Sequence, residues 1–163
     1  MKVSERIQTA TKTAFSFELL PPIKGNGIYQ VFDTIDKLKE FDPKYINITT
    51  HHSETVYKED ENGVIRKVNI RRRPGTVALA AAIQNRYGIT AVPHIICKGF
   101  SKQETEYALI DLMFLGITNL LLLRGDTNKL NEEQIKMDSH DHATDLQEQV
   151  NNFNKGIALD GSR

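Results

Sequence analysis

The feature that most constrains the fold is a repeated alternation of short apolar runs with segments of helical periodicity. Four runs rich in β-branched, aromatic or aliphatic residues predict strands at 14–19, 45–49, 89–97 and 117–123. After each run, apolar residues recur every three or four positions, which predicts helices beginning near Ile28, before Leu79, after Ser101 and near Ala143. Alternation of this kind predicts a parallel sheet with right-handed crossovers.

Local signals bound these elements. Pro21 and Pro22 stop the first strand, because proline cannot continue a hydrogen-bonded ladder. Gly88 is placed to close the second helix in the left-handed conformation. Ser101 and Glu104 have the spacing of a capping box that opens the third helix. The fourth run is almost entirely apolar, which predicts a parallel strand buried on both faces.

The predicted fold class is α/β, a partial (β/α)8 TIM barrel of about four βα units with parallel strands. A complete barrel needs about 250 residues, and this chain has 163, which we expect to form a single domain over residues 1–163. The polar segment 50–75 reads as a loop, and its length favours a binding or lid role. No Gly-x-Gly-x-x-Gly follows any predicted strand, so the usual dinucleotide fingerprint is missing.

Composition narrows the function classes. The 21 Lys and Arg residues balance 21 Asp and Glu residues, which gives no global argument for binding nucleic acid or an anionic membrane surface. Cys97 is the single cysteine, so a reducing compartment is the simplest interpretation. No segment approaches the ~20 apolar residues of a membrane span. These features predict a cytoplasmic protein.

Polar residues collect where the predicted strands end, and the carboxyl ends of parallel strands meet at one edge of a sheet. This pattern predicts one site built from residues of all four strands and the loops that follow them: Glu18, Thr49, His94, Arg124, Gly125 and Asp126.

Glu18 is the most informative of these residues. It stands between Phe17 and Leu19, and burial there would favour the neutral acid and suit Glu18 to act as a general acid. The alternative is a structural ion pair between Glu18 and Arg124. His94 could equally be a satisfied core histidine, since a lone histidine in a strand more often has that role.

Two charged clusters have a structural and a functional interpretation. The acidic and histidine-containing stretch 138–145 could suggest a metal site, but it fits better as the acidic first turn of the fourth helix, so we predict no metal. Arg71, Arg72 and Arg73 read as a solvated loop patch, with an anion contact as the minority interpretation.

Four segments, in order and at similar spacing, resemble the signatures of methylenetetrahydrofolate reductases. The FSFELLPP sequence at 15–22 resembles the family's opening SFEFFPP, and AVPH at 91–94 resembles its APH segment. The LRGD sequence at 123–126 matches the family's LRGD after its fourth strand, and HATDL at 142–146 resembles YASDL. The resemblance covers most of the chain.

The resemblance implies a (β/α)8 flavoprotein oxidoreductase of one-carbon metabolism and methionine biosynthesis, with FAD at the carboxyl face. NADH or NADPH would be the hydride donor, and 5,10-methylenetetrahydrofolate would be reduced to 5-methyltetrahydrofolate. Glu18 matches the acid that protonates the folate, and Asp126 matches a carboxylate between flavin and folate. The family is also homo-oligomeric, which implies a homo-oligomer here. The implied cofactor contacts are Thr49, His94, Arg124, Gly125, Asp126, His142 and Ala143.

Two departures from the family pattern bear on function. His142 stands where the family usually has tyrosine, and the family's later strands have no counterpart in these 163 residues. We therefore expect this chain alone to be inactive. The alternative function is a non-catalytic half-barrel that self-associates and binds flavin or folate weakly or not at all. Another barrel enzyme with a phosphate-bearing substrate is disfavoured by the ordered motifs.

Overall fold

The structure is a computed structural model that describes residues 1–127, 130 and 132–163. In chain order its elements are α1 (Val3–Gln8), β1 (Ser16–Leu19), α2 (Tyr29–Leu38), β2 (Tyr45–Ile48), β3 (Glu54–Glu59), β4 (Ile65–Ile70), α3 (Thr76–Tyr87), β5 (Thr90–Ile96), α4 (Lys102–Phe114), β6 (Leu121–Leu123), α5 (Glu132–Lys136) and α6 (Ala143–Asn154). A short 3-10 turn, Lys39–Phe41, extends the end of α2.

Four strands form one parallel sheet in the order β1-β2-β5-β6. Glu18 is in register with Asn47, and Asn47 is in register with Val92. Further along β5, His94 is in register with Leu121. The predicted α/β class with parallel strands and alternating helices is thus confirmed, and the arrangement is consistent with part of a (β/α)8 barrel.

The core lies on one face of this sheet. Side chains alternate along each strand, so Leu19, Ile46, Ile48 and Ile95 share a face. These side chains pack in one buried cluster with helix residues such as Ile35, Ile83, Leu112 and Leu146. The opposite face carries Glu18, Asn47, Val92, His94 and Ile96 from the first three strands of the order. The sheet therefore separates an apolar, helix-covered side from a side that carries the polar strand residues.

The predicted helix boundaries agree with the structure. Gly88 follows α3 with φ 65° and donates its N–H to the Gln84 carbonyl, as a left-handed C-cap does. At the start of α4, Ser101 Oγ accepts from the Glu104 N–H at 3.1 Å, and a Glu104 carboxylate oxygen accepts from the Ser101 N–H at 2.8 Å. No helix in the described residues is long and apolar enough to cross a membrane.

The segment 50–75 is not a plain loop, because β3 and β4 pair in it as an antiparallel hairpin. The turn between them is held by Asp60, whose Oδ1 accepts from the N–H groups of Asn62 and Val64 at 3.0 Å each. Gly63 has φ 77°, a conformation that favours glycine. Charged residues interrupt the apolar alternation of both strands, so the hydrophobic pattern of the sequence does not predict the hairpin.

Three further differences concern the ends of the sheet and chain. The predicted strand 117–123 is shorter, and β6 is an edge of the sheet rather than a strand buried on both faces, with Leu121 39% and Leu123 37% exposed. Helix α1 was not predicted, because its polar sequence carries no apolar stripe. The expected polar loop 126–139 contains α5, and its residues 128, 129 and 131 lie outside the described residues.

Candidate functional site

The candidate site lies at the carboxyl edge of the parallel sheet. Glu18 is the third residue of β1, and His94 lies two residues beyond the β5 position that is in register with it through β2. Alternation puts both on the sheet face opposite the core. The Oε2 atom of Glu18 is 3.8 Å from Nε2 of His94, close enough for an ion pair when the histidine is protonated but too long for a hydrogen bond.

His94 is only 5% exposed, and its Nε2 atom has no hydrogen-bond partner among the described residues. Burial lowers the pKa of His94 from its ordinary value of 6.5, while the negative charge of Glu18 acts in the opposite direction. The imidazole is therefore neutral at neutral pH. A buried nitrogen without a partner is costly, so His94 does not fit the alternative of a satisfied core histidine.

Glu18 is more exposed than its sequence neighbours suggested. Its side chain is 59% exposed, whereas Leu19 is buried. The strand period of two places Phe17 and Leu19 on the core face and Glu18 on the other, so apolar neighbours in sequence do not desolvate it. The alternative pairing with Arg124 is also wrong, since the ion-pair partner of Glu18 in the described structure is His94.

Arg124, Gly125 and Asp126 directly follow β6. The Arg124 carbonyl accepts from the Lys98 N–H at 2.9 Å, and Arg124 Nε donates to the Asp141 carbonyl at 3.2 Å. Gly125 has φ 82°, and a Cβ atom there would lie 3.2 Å from Ile96 Cβ. Asp126 is exposed, and because β1 and β6 run in the same direction it lies at the same end of the sheet as Glu18.

Thr49 follows β2 and is tied to the end of β1. Its N–H donates to the Leu19 carbonyl at 3.1 Å, and its hydroxyl is 3.4 Å from the same oxygen. The hydroxyl is also 3.3 Å from His51 Nε2. These contacts fix Thr49, which is half-buried, at the carboxyl ends of β1 and β2.

His142 and Ala143 stand where α6 begins. The His142 N–H donates to Asp145 Oδ2 at 2.9 Å, which satisfies one of the free donors at the helix start. The preceding residue, Asp141, binds Lys98 through a 2.5 Å contact from Nζ to Oδ1. This ion pair ties the end of β5 to the start of α6, next to the Arg124 contact with the Asp141 carbonyl.

Lys98 is the participant in this region that the sequence interpretation missed. Its side chain is only 15% exposed, and its hydrogen bond holds the pKa of Asp141 below the ordinary value of 3.8. The sequence signal for Lys98 is its position alone, since it is the first charged residue after the third apolar run.

The residues of the stretch 138–145 have protein partners instead of forming a ligand set. Asp138 pairs with Lys102 at 2.7 Å, and His140 Nε2 is 2.7 Å from Gln149 Oε1. Among the described residues, no group of three or more His, Cys, Asp or Glu side chains could hold a metal ion. The acidic first turn of α6 is present in Asp145.

The arginine cluster links the base of the hairpin to the loop after β1. Arg72 Nε is 2.5 Å from a Glu54 carboxylate oxygen, and its carbonyl accepts from the Lys24 N–H at 2.7 Å. Arg73 donates to the Pro21 carbonyl, and Arg71 Nε donates to the Arg73 carbonyl at 3.1 Å. The exposed parts of this cluster agree with a solvated patch that also holds two loops together.

A sequence model of one family, methylenetetrahydrofolate reductase, matches residues 2–161, nearly the whole chain. The chain belongs to the methylenetetrahydrofolate reductase family. The match includes all four strands of the parallel sheet and the edge where Glu18, His94 and Asp126 lie.

Individual reductases show the extent of the similarity. Methylenetetrahydrofolate reductase (NADH) 1 of Arabidopsis thaliana is 29% identical over 129 residues, which cover 77% of this chain and 19% of the relative. The 5,10-methylenetetrahydrofolate reductase of Escherichia coli is 26% identical over 111 residues, which cover 68% of this chain and 32% of the relative. A probable methylenetetrahydrofolate reductase (NADPH) of Caenorhabditis elegans is 23% identical over 122 residues, which cover 75% of this chain and 17% of the relative. The chain therefore spans between about a sixth and a third of the length of these curated relatives.

Proposed function

We propose that this chain forms the flavin- and folate-binding edge of a reductase that converts 5,10-methylenetetrahydrofolate to 5-methyltetrahydrofolate. The observation that carries the proposal is the position of two carboxylates, Glu18 and Asp126, at one end of the parallel sheet, with the buried and unpartnered Nε2 atom of His94 close to Glu18. The names of the relatives give the reaction and mention both NADH and NADPH. The proposed hydride donor is therefore a reduced nicotinamide.

The residues of the edge fit a flavin. An isoalloxazine ring has a wide apolar face and a polar edge of nitrogen and oxygen atoms. Exposed Leu121 and Leu123 offer apolar surface on the sheet face that carries His94, and the Nε2 atom of His94 lacks a partner that such a polar edge could supply. Arg124 adds a cation at the same edge. When bound, FAD would supply the hydride-transfer chemistry.

Each proposed contact has a distinct task. The neutral imidazole of His94 would bond the flavin without adding charge, since its pKa is lowered by burial. Arg124 would face an anionic part of the cofactor, while its Nε bond to Asp141 fixes the guanidinium. Gly125 lets the loop run close to Ile96, and Thr49, His142 and Ala143 would complete the contacts from the ends of β2 and α6.

Glu18 is the proposed general acid and Asp126 the proposed folate ligand. A carboxyl group at Glu18 can hold a proton and deliver it to a folate nitrogen. A flavin or folate ring lying over the site would exclude water from the side chain of Glu18, which is exposed in this structure. Asp126 is an acceptor for the amino and amide donors of a pterin. Both tasks require the substrate to lie across the sheet face between β1 and β6.

The first test is to titrate FAD into the purified chain and record the visible difference spectrum. Binding should red-shift and structure the flavin bands, and His94→Ala should weaken the affinity by about tenfold or more, the value of a lost hydrogen bond to a buried group. His140→Ala is the matched control, because His140 pairs with Gln149 at 2.7 Å and is not one of the proposed cofactor contacts. Equal affinity of the His94 and His140 variants would count against the flavin site.

The second test separates the two half-reactions. In a complete reductase that joins this chain to the family's later strands, Glu18→Gln should slow folate reduction by about 100-fold or more, as loss of a general acid does, and leave flavin reduction by NADH or NADPH within about twofold of the original rate. Equal loss of both half-reactions would contradict the acid role. Glu40→Gln, an exposed glutamate in the turn after α2, controls for charge.

A second candidate function is a non-catalytic half-barrel that self-associates. Within the described residues β1 and β6 are the edges of the sheet, and Leu121 and Leu123 are more than a third exposed. Unpaired edges favour association. Colourless protein that ignores added FAD would favour this candidate. A cytoplasmic location and a homo-oligomeric state remain part of the main proposal.

A further inference from the structure

The stretch that leads into α6 carries three carboxylates, and each has a partner of its own. Asp138 pairs with Lys102 at 2.7 Å, and Asp141 pairs with Lys98 at 2.5 Å. The third carboxylate, Asp145, accepts from the N–H group at the helix start at 2.9 Å. All three negative charges beside the flavin-binding edge are therefore engaged by other groups of the chain.

Arg124 is a cation at the same edge whose charge has no such partner. Its side chain is exposed, and its Nε atom donates to the backbone carbonyl of Asp141 at 3.2 Å. Across the part of the chain that the structure describes, no carboxylate lies within ion-pair distance of Arg124. A guanidinium carries five N–H donors in a planar fork, so most of the donors of Arg124 remain available to an anionic ligand.

The carboxylate of Asp141 could compete with such a ligand for Arg124. The backbone of Asp141 already lies against Arg124, and its side chain is 79% exposed, which leaves it room to turn. The positive charge of Arg124 is also one of the causes that lower the pKa of Asp141. A turn of this side chain toward Arg124 would put a negative charge where the anion of a ligand would lie.

Lys98 prevents this competition because it is held in place more firmly than a surface lysine. Its N–H donates to the Arg124 carbonyl at 2.9 Å, and its side chain is only 15% exposed. A stem that packing already orders loses little further freedom when its ammonium group pairs. The hydrogen bond from Lys98 is accordingly the largest cause of the lowered pKa of Asp141, ahead of the charge of Arg124.

We propose that Lys98 is a positioning residue for the cofactor, which holds the Asp141 carboxylate away from Arg124 so that the guanidinium stays available to the phosphates of FAD. This inference rests on the flavin site proposed above. Lys98 acts through Asp141 and does not itself touch the cofactor. Without Lys98, Asp141 would occupy Arg124, and its unneutralised charge would repel the phosphates.

Titrations of FAD and of riboflavin into the purified chain, followed by visible difference spectra, test the proposal. An exposed ion pair shifts an equilibrium by up to about fivefold, and the repulsion adds to this. Lys98→Met should therefore weaken FAD binding by about fivefold to tenfold. The affinity for riboflavin should stay within about twofold, because riboflavin has no phosphate group. Lys98→Gln removes the same charge and answers the question if the Met variant does not fold.

A second substitution separates this role from a purely structural one. In the double variant Lys98→Met/Asp141→Asn the competing charge is gone, so FAD affinity should return to within about twofold of the original. If the ion pair served only to tie β5 to α6, the double variant would bind as weakly as Lys98→Met. Lys102→Met is the matched control, since it breaks the neighbouring ion pair with Asp138 and should leave FAD affinity unchanged.

A carboxyl NMR titration of the flavin-free chain gives a readout that does not depend on the proposed flavin site. In Lys98→Met the pKa of Asp141 should rise, because its main partner is lost. It should rise further in Lys98→Met/Arg124→Met, because Arg124 is then the group that Asp141 has turned to. A wild-type chain that ignores FAD would refute the flavin site, whereas this titration would still decide whether Lys98 keeps Asp141 and Arg124 apart.

Three results would overturn the inference. The first is FAD binding that is unchanged in Lys98→Met, or that is weakened equally for FAD and riboflavin. The second is a double variant with Asp141→Asn that does not recover FAD affinity. The third is a pKa of Asp141 that is the same in Lys98→Met with and without Arg124.

Discussion

Replacing Gly125 with alanine tests how closely the loop after β6 is built against β5. Gly125 has φ 82°, and a Cβ atom would lie 3.2 Å from Ile96 Cβ and 3.4 Å from its Cδ1 atom. Gly116 offers a matched control, since it has φ 66° but nothing within 4 Å of an added Cβ. Both variants incur the cost of a left-handed alanine, and only the first also crowds a neighbour.

The two costs can be separated by magnitude. A left-handed alanine loses about 1 kcal/mol relative to glycine, so Gly116→Ala should lower the free energy of unfolding by about that amount. Overpacking against a side chain that is 7% exposed in the central strand β5 adds about 1–3 kcal/mol. Gly125→Ala should therefore lose about 2–4 kcal/mol, or roughly 5–15 °C in Tm for a domain of this size.

Urea denaturation followed by far-UV circular dichroism measures both variants. The m-value should stay constant, so the difference appears in the midpoint. FAD titration of the folded Gly125 variant should also show weaker binding, because Arg124 and Asp126 adjoin the displaced residue. Equal losses of stability in the two glycine variants would refute the reasoning, since the contact with Ile96 would then cost nothing.

Three further outcomes are expected. Burial lowers the pKa of His94 in the folded protein, so the unfolded state takes up the proton first as the pH falls below 6.5. The free energy of unfolding should therefore decrease with falling pH in this range. His94→Gln should flatten this dependence in urea titrations at about pH 5–7.5. Ser101→Ala should lower the free energy of unfolding by about 1 kcal/mol through loss of the α4 cap. Lys98→Met should raise the pKa of Asp141 in a carboxyl NMR titration, because the main cause of its lowering is removed.

Each of these has a control. Asn85→Gln, an exposed substitution on α3 that changes no titratable group, should leave the pH dependence of stability unchanged. Glu104→Gln should keep most of the cap, since an amide oxygen can also accept from Ser101. Lys102→Met should leave the pKa of Asp141 unchanged, because Lys102 pairs with Asp138. The first argument is contradicted if the pH dependence of stability persists in His94→Gln. The second is contradicted if Ser101→Ala leaves the free energy of unfolding unchanged, and the third if Lys98→Met leaves the pKa of Asp141 unchanged.

The sequence predicted the parallel sheet because its signals are local. Apolar runs, proline stops, Gly88 and the Ser101 cap each depend on a few neighbouring residues, and all of them point to the same βα order. The hairpin was missed because its strands are stabilised by backbone pairing and a turn held by Asp60, with charged residues in the alternating positions. Pairing of this kind leaves little hydrophobic pattern to detect.

The candidate site was predicted in position but not in environment. Parallel strands all end on the same side of a sheet, so the topology alone places Glu18 and Asp126 at the carboxyl end of the sheet. Burial of Glu18 could not be predicted from Phe17 and Leu19, because neighbours in a strand occupy opposite faces. The pairing of Lys98 with Asp141 joins residues far apart in sequence and requires the folded helix positions.

The hairpin of β3 and β4 leaves the sheet edge and returns to nearly the same point, because Glu54 and Ile70 are its first register pair. Paired residues of antiparallel strands lie about 5 Å apart at Cα. Lengthening, shortening or removing the segment between them would therefore leave the strand order and the core undisturbed. This part of the chain is therefore an insertion point next to Thr49 at which the length of the chain can change without refolding the strands of the parallel sheet.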